Sequence, residues 1–191
     1  MPVEIDITQR LATIADATLD IVASDGLDGV SIRAVAKRIG GSTTLVTNYL
    51  RTREALLVNA IEHATRAWAA ELEESVAGAG DRDRLLAAVR WAGSTGGNDE
   101  VLRRLFMELL GRGGPESAAV RTLREDAREN RAELVDAARD AGAGDSEFTA
   151  DVLFLVLRGF YVSSLEDPER WNDASMTPLL ERLVRLLTTT T

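Results

Sequence analysis

The chain has no cysteine and one histidine, His63. The first absence excludes disulfides and thiolate metal sites. The second removes most zinc sites and most Ser-His-Asp arrangements, which need imidazole. Long apolar runs are missing as well: the longest, Val152–Leu157, is far too short to cross a bilayer, which takes about 20 residues. The start, MPVEIDITQR, has neither a basic stretch nor an apolar core, so no signal peptide is expected. Aromatic residues are only 5% of the chain, and no useful stretch alternates polar and apolar side chains as a strand would. These absences predict an all-α, soluble, cytoplasmic protein with no membrane partner, no resident metal and no cofactor.

Charge is present in quantity but unevenly placed. The net charge is −9 over 191 residues. Residues 1–54 contribute −1 and residues 55–191 contribute −8. Between Ser31 and Arg53, however, there are five basic residues (Arg33, Lys37, Arg38, Arg51 and Arg53) and no acidic one. Solubility alone does not confine positive charge to one short segment, whereas lying on a phosphate backbone requires it. The acidic remainder does not forbid this, because exposed charges farther than about 8–10 Å are largely screened at physiological salt.

Apolar spacing predicts nine helices. Leu11, Ile14, Ala15, Thr18 and Val22 mark the first, from about Thr8 to Ala23. Ser31 is placed to cap a second, with Ile32, Val35, Ala36 and Ile39 inward, and Gly40-Gly41 makes the turn. Ser42 caps a third reaching Leu50, and Thr52 caps a long fourth running to about Val76. Five more are expected near Asp81–Gly93, Asn98–Leu110, Pro115–Ala141, Ser146–Leu165 and Thr177–Leu187. The expected division is a three-helix unit at residues 1–52 and a six-helix body at 53–191.

The third helix bears the chemistry. Val46 and Leu50 fall on one side, while Thr43, Thr44, Thr47 and Asn48 fall on the other. Short uncharged polar side chains make mediocre helix formers but suit a major groove. Hydroxyls bond bases or phosphates, threonine methyls pack on thymine, and Asn pairs bidentately with adenine. A solvated surface has the same look, and helix-turn-helix geometry also occurs in proteins that never bind DNA.

Residues 31–57 resemble the signature of the tetracycline-repressor (TetR) family, approximately T-v-r-d-I-A-x-x-A-G-V-S-x-g-t-l-Y-x-H-F-x-s-K-e-x-L. Ser31, Arg33, Val35, Ala36, Gly40, Ser42, Val46, Leu50, Thr52, Arg53, Glu54 and Leu56 match it or substitute conservatively. The run S-T-T-L-V-T-N-Y-L is similar to the choline-responsive, BetI-like branch. Departures are Thr47 at the common phosphate-touching tyrosine, Gly41 at the usual valine, Leu50 at the aromatic anchor and Arg53 at the usual lysine. The resemblance implies the nine-helix TetR-like fold and a ligand-responsive repressor, not an enzyme. It would bind a palindromic double-stranded operator as a homodimer and be released by a small-molecule inducer.

By position, the resemblance puts Ser31, Ser42, Tyr49 and Arg53 on phosphates, and Thr43, Thr44 and Asn48 on base edges. Arg33 goes to either, and Thr47 lies at the interface. It implies a dimer built from the last two helices, with Leu153, Leu157, Phe160, Tyr161, Leu179, Leu183 and Leu186 as candidates. An inducer cavity would draw on Trp68, Trp91, Phe106, Met107 and Phe154, with Glu108 or Arg103 for a polar group. Two rivals stand beside this reading. An enzyme would have to use Gly111–Gly114 or Gly142–Gly144, neither of which has phosphate-loop spacing, and a helical interaction protein would need no operator at all.

Overall fold

The computed structural model describes residues 7–94, 99–114 and 116–189. Among them are nine α-helices and one 3₁₀ turn: α1 (Ile7–Asp25), the turn Leu27–Gly29, α2 (Ile32–Arg38), α3 (Thr43–Thr47), α4 (Arg53–Val76), α5 (Asp81–Ala92), α6 (Asp99–Arg112), α7 (Ala118–Asp140), α8 (Ser146–Glu166) and α9 (Asp173–Thr188). No strand occurs among the described residues. The all-α, nine-helix expectation therefore agrees with the fold.

Local chemistry sets the ends of the helices. Ser31 is extended, and its Oγ accepts from the Ala34 N–H at 3.1 Å, capping α2. At the other end Gly40 takes φ +67°, a left-handed conformation that glycine reaches without a Cβ clash. The Gly41 N–H then reaches the Ala36 carbonyl at 2.8 Å and the Gly40 N–H that of Lys37 at 3.2 Å, which closes α2 and turns the chain. Ser42 Oγ accepts from the Leu45 N–H at 3.3 Å, and Thr52 Oγ1 from the Ala55 N–H at 3.0 Å, so each expected cap is formed.

Two boundaries differ from expectation. Helix α3 ends at Thr47, three residues early, although Asn48 stays helical in backbone and its N–H bonds to the Thr44 carbonyl at 3.0 Å. The outward face therefore survives the shorter helix. Helix α9 begins at Asp173 instead of Thr177, because Asn172 and Ser175 cap one another reciprocally. Pro178 consequently lies inside the helix, where the ring supplies no N–H for the Ala174 carbonyl. Pro115, the expected opener of the seventh helix, lies outside the described residues, and α7 starts at Ala118.

Contacts gather the chain into two compact units, Met1–Ala67 with Arg104–Arg124, and Trp68–Arg103 with Glu125–Thr191. The chain passes between units inside α4, α6 and α7. In the first unit α1 buries Ile14, Ala15, Thr18, Ile21 and Val22, and the α2–α3 pair contributes Val35, Ala36 and Val46. The start of α4 adds Leu56, Leu57, Ala60 and Ile61. Asn59 is also buried, and its Nδ2 donates to the Leu11 carbonyl at 2.9 Å. His63 Nε2 meets Asp16 Oδ1 at 3.0 Å, a second tie between α1 and α4.

In the second unit α5, α8 and α9 pack together around Leu85, Val89, Leu153, Leu157, Phe160, Met176, Leu180 and Val184, with Ala138 of α7 and Ala141 just after it. Approach is close at the end of α5, where a Cβ on Gly93 would lie 2.3 Å from Leu180 Cδ1. Helix α8, with 21 residues and mean hydropathy 1.4, is by length and composition apolar enough to cross a membrane, so the short run Val152–Leu157 understated it. One side of this helix fills the core of the second unit through Leu153, Leu157 and Phe160.

Candidate nucleic-acid interface

Helix α3 is anchored by a single fully buried side chain, Val46, at 0% exposure. That anchor turns Ser42, Thr43, Thr44 and Asn48 to solvent, while Thr47 and Tyr49 are half-buried. Thr47 Oγ1 donates back to the Thr44 carbonyl at 3.4 Å. Ser31 and Ser42 use their oxygens as cap acceptors, which leaves each O–H as a donor for an anionic oxygen.

The five basic residues separate into two groups. Arg33, Lys37 and Arg51 are exposed, and none has an ion pair among the described residues. Arg38 is turned toward α1, with Nη2 on Ser24 Oγ at 3.2 Å and Nη1 3.4 Å from Asp20. Arg53, expected on a phosphate, commits Nε to the Val30 carbonyl at 3.0 Å and Nη2 to the Leu27 carbonyl at 2.6 Å. The guanidinium therefore pins the 3₁₀ turn to the start of α4, and its structural role is positioning.

Glu54 lies in the first turn of α4, where the positive end of the helix favours a carboxylate. Its Oε1 also accepts from Ser117 Oγ at 2.9 Å and from the Ala118 N–H at 2.5 Å, capping α7 within the same unit. Those two hydrogen bonds hold its carboxyl below the usual glutamate value. Arg112 likewise reaches Asp28 at 3.0 Å and Glu108 at 3.0 Å. The Glu108 pair is an i,i+4 contact, but nothing in the local sequence announces the others, which join residues 63 to 84 positions apart.

Two of the five candidate cavity residues line one cleft. Trp68 and Trp91 line a cleft of about 240 Å³, counted to its open mouth, with Ala92, Arg103 and Tyr161, all in the second unit. Phe106 and Met107 belong to the first unit; Phe106 is buried and Met107 exposed. Phe154 is stacked under Arg158, whose Cζ lies 5.1 Å from the ring centre. Tyr161 thus moves from the dimer candidates to the cleft. Glu108 pairs with Arg112, whereas Arg103 is buried in the cleft wall.

The dimer candidates need a similar correction. Leu153, Leu157 and Phe160 are core of the protomer, because helical spacing on so apolar a helix does not say which side faces inward. Leu183 is half-buried against the same core, and Leu179 and Leu186 remain exposed. Two apolar side chains that sequence reasoning passed over, Phe148 and Leu155, are 58% and 68% exposed on α8.

The glycines of the enzyme rival serve as helix ends. Gly142 takes φ +80° and closes α7 through Gly142→Arg139 and Ala143→Ala138 bonds, each 3.0 Å. Gly113 sits so close to Val120 and Leu109 that a Cβ would meet atoms at 2.4 and 2.5 Å. Among the described residues no group of three or more His, Cys, Asp or Glu side chains is placed to hold a metal ion.

No family model matches the chain. Over 82 residues it is 38% identical to the HTH-type transcriptional regulator BetI of Burkholderia ambifaria, a match covering 42% of this chain and 42% of that protein. The chain thus matches less than half the length of these curated relatives. The fold is similar to that of a TetR-family transcriptional regulator from Rhodococcus sp., with a TM-score of 0.81, 19% identity and coverage of 96% of this chain and 100% of the other. It is similar also to a transcriptional regulator from Saccharomonospora viridis in complex with choline, with a TM-score of 0.77, 16% identity and coverage of 93% and 96%. The matched segment is thus similar to a helix-turn-helix transcriptional regulator, and the fold is similar to that of TetR-family regulators.

Proposed function

We propose that the chain is a cytoplasmic DNA-binding repressor that grips a palindromic operator as a homodimer and lets go when a small molecule occupies the body. The observation that carries this reading is the exposed face of α3, where Thr43, Thr44 and Asn48 stand clear of the core and Arg33 and Lys37 of α2 are exposed as well. Thr43, Thr44 and Asn48 read base edges. Ser31, Ser42 and Tyr49 donate to phosphates, Thr47 closes the contact at the helix end, and Arg33 and Lys37 supply charge. Arg53 acts by holding the turn in place. Residues 1–52 are the part that meets DNA, and residues 53–191 serve dimerisation and sensing.

Dimerisation is supported by two apolar stripes. Phe148, Val152, Leu155, Gly159 and Val162 recur at alternating spacings of four and three along α8, and none of them is buried. Leu179, Leu183 and Leu186 repeat the pattern on α9. Such seams pair helices into bundles, and a two-fold dimer presents two copies of α3 to two half-sites. A small-molecule effector is supported by the cleft at Trp68 and Trp91, and by the choline-bound neighbour of the same fold. Because α4 contributes to both units, occupancy of the cleft changes operator affinity, and operator binding weakens ligand binding by the same factor.

Selection of bound duplexes from a random DNA pool tests the reading. It should return a palindrome, and the affinity should fall with salt at a logarithmic slope near −4 if Arg33 and Lys37 of each protomer neutralise about four phosphates in all. The Thr44→Ala, Asn48→Ala double variant should lose that preference while remaining folded and dimeric. Enrichment of no sequence would leave an interaction protein with a helical body.

A further inference from the structure

Helix α3 reads a groove only as well as it is aimed, and the side chains that aim it lie outside it. In sequence the α2–α3 pair is flanked by the turn Leu27–Gly29 and by the first turn of α4, and each is tied to residues far along the chain. Arg112, in the last turn of α6, sets Nη1 at 3.0 Å from Asp28 Oδ1 and 3.1 Å from Oδ2, which holds the turn. Glu54, in the first turn of α4, accepts from Ser117 Oγ at 2.9 Å and from the Ala118 N–H at 2.5 Å, which holds the start of α7. Arg53 joins the turn to α4 through the Val30 and Leu27 carbonyls, at 3.0 and 2.6 Å. Helix α7 returns to α6 where Gly113 lies so close to Val120 that a Cβ would meet its Cγ2 at 2.4 Å. The ties therefore form a closed circuit, from α6 to the turn, to α4, to α7 and back, and all of it belongs to the first compact unit.

The ion pair in this circuit adds little to folding. The side chains of Arg112 and Asp28 are 57% and 81% exposed, and pairs so open to water contribute little stability. Glu54 is the firmer tie, since its carboxylate meets an O–H and an N–H at the positive end of α7. A closed set of ties supplies direction all the same, because it removes rotations that a single tie leaves free.

Direction matters for a palindrome. About 10–10.5 base pairs make one turn of about 34–36 Å, so one base pair added at the centre moves a half-site by about 3.4 Å and rotates it by about 35°. A firmly aimed α3 does not follow that displacement, and a loosely aimed one does. We propose that Glu54 and Arg112 are positioning residues that fix the half-site spacing the protein accepts. The inference rests on the reading above of a homodimer on a palindrome, and it assigns spacing selectivity to side chains outside α3.

Affinity of the full-length protein for its selected palindrome, and for versions lengthened or shortened by one central base pair, tests it. The parent should bind the altered spacings at least about tenfold more weakly than the best site. The Glu54→Ala, Arg112→Ala double variant should bind the best site about threefold more weakly, yet lose no more than about threefold on the altered spacings. Glu54→Gln keeps an acceptor oxygen and should keep most of the parent's selectivity, whereas Glu54→Ala should not. A merely structural role lowers affinity for every spacing by the same factor. Equal ratios in parent and double variant would therefore overturn the proposal, as would a parent indifferent to spacing. Should the double variant lose its helical circular dichroism, Arg112→Ala, altered at an exposed side chain, decides by the same ratio. Selection of no palindrome by the parent refutes the operator reading and the spacing role with it, whereas a palindrome with unchanged ratios refutes the spacing role alone.

Discussion

Replacing Arg53 by methionine distinguishes a positioning arginine from a phosphate-binding one. The side chain makes two charged hydrogen bonds to carbonyls, at 3.0 Å to Val30 and 2.6 Å to Leu27. Hydrogen bonds to charged groups contribute about 1.5–3 kcal/mol each when shielded, and an exposed arginine earns the low end or less, about 1 kcal/mol each. Methionine keeps the apolar stem, so the loss is about 2 kcal/mol, readable as a shift of the urea midpoint at unchanged slope. Operator affinity should fall with it, because the turn that orients α2 loosens. The salt dependence should stay the same, since no phosphate contact has gone. By contrast Arg33→Ala should leave stability within about 0.5 kcal/mol and flatten the logarithmic salt slope by about 0.9 per half-site contact. A flattening of that size in Arg53→Met, with stability intact, would refute the positioning role.

Leu153 and Leu155 are two residues apart but should respond oppositely. Leu153→Ala in the core should cost about 2–5 kcal/mol, and Leu155→Glu, at 68% exposure, should leave the fold intact while producing monomers in sedimentation. A stable dimer in Leu155→Glu would remove α8 from the interface. Two glutamates should show opposite pH signatures. Glu54 is held below its ordinary 4.5 by the Ser117 and Ala118 hydrogen bonds, so its contribution is present above that pH and disappears as the pH drops through the lowered value. Glu54→Gln should therefore destabilise at pH 7 and match the parent in acid. Glu133 is raised above 4.5 by burial and by Glu129, Asp126 and Glu73, so its charge costs stability as pH rises through the raised value. Glu133→Gln should gain a few tenths of a kcal/mol at pH 7 and nothing at pH 4. Finally, Asn172→Ala removes half of the reciprocal cap of α9 and should cost about 1 kcal/mol by thermal or urea unfolding; no change would mean that the helix start is held by packing alone.

Several parts of the molecule were legible without coordinates. Helix starts could be read because a cap is a short-range affair: Ser31, Ser42 and Thr52 each bond a backbone N–H three residues on, and each lies where sequence places it. The outward polar face of α3 could be read for the same reason, since helical periodicity alone puts Thr43, Thr44 and Asn48 opposite Val46. Where local signals competed, the reading slipped. Thr177-Pro178 has the form of a helix opening, but the Asn172–Ser175 pair supplies two bonds and begins α9 earlier.

Long-range pairing was another matter. A leucine on an apolar helix bears no mark of whether its own protomer or another covers it, so Leu153 and Leu155 could be told apart only by what packs on each. An arginine beside a helix-turn-helix has the composition of a phosphate contact, and only the positions of the Leu27 and Val30 carbonyls give Arg53 its other task. The sequence by itself determined periodicity, caps and local charge, all of which are interactions between residues a few positions apart. Tertiary structure alone brought Trp68, Trp91, Arg103 and Tyr161 around one cleft, because burial and contact depend on chain returning from nearly a hundred residues away.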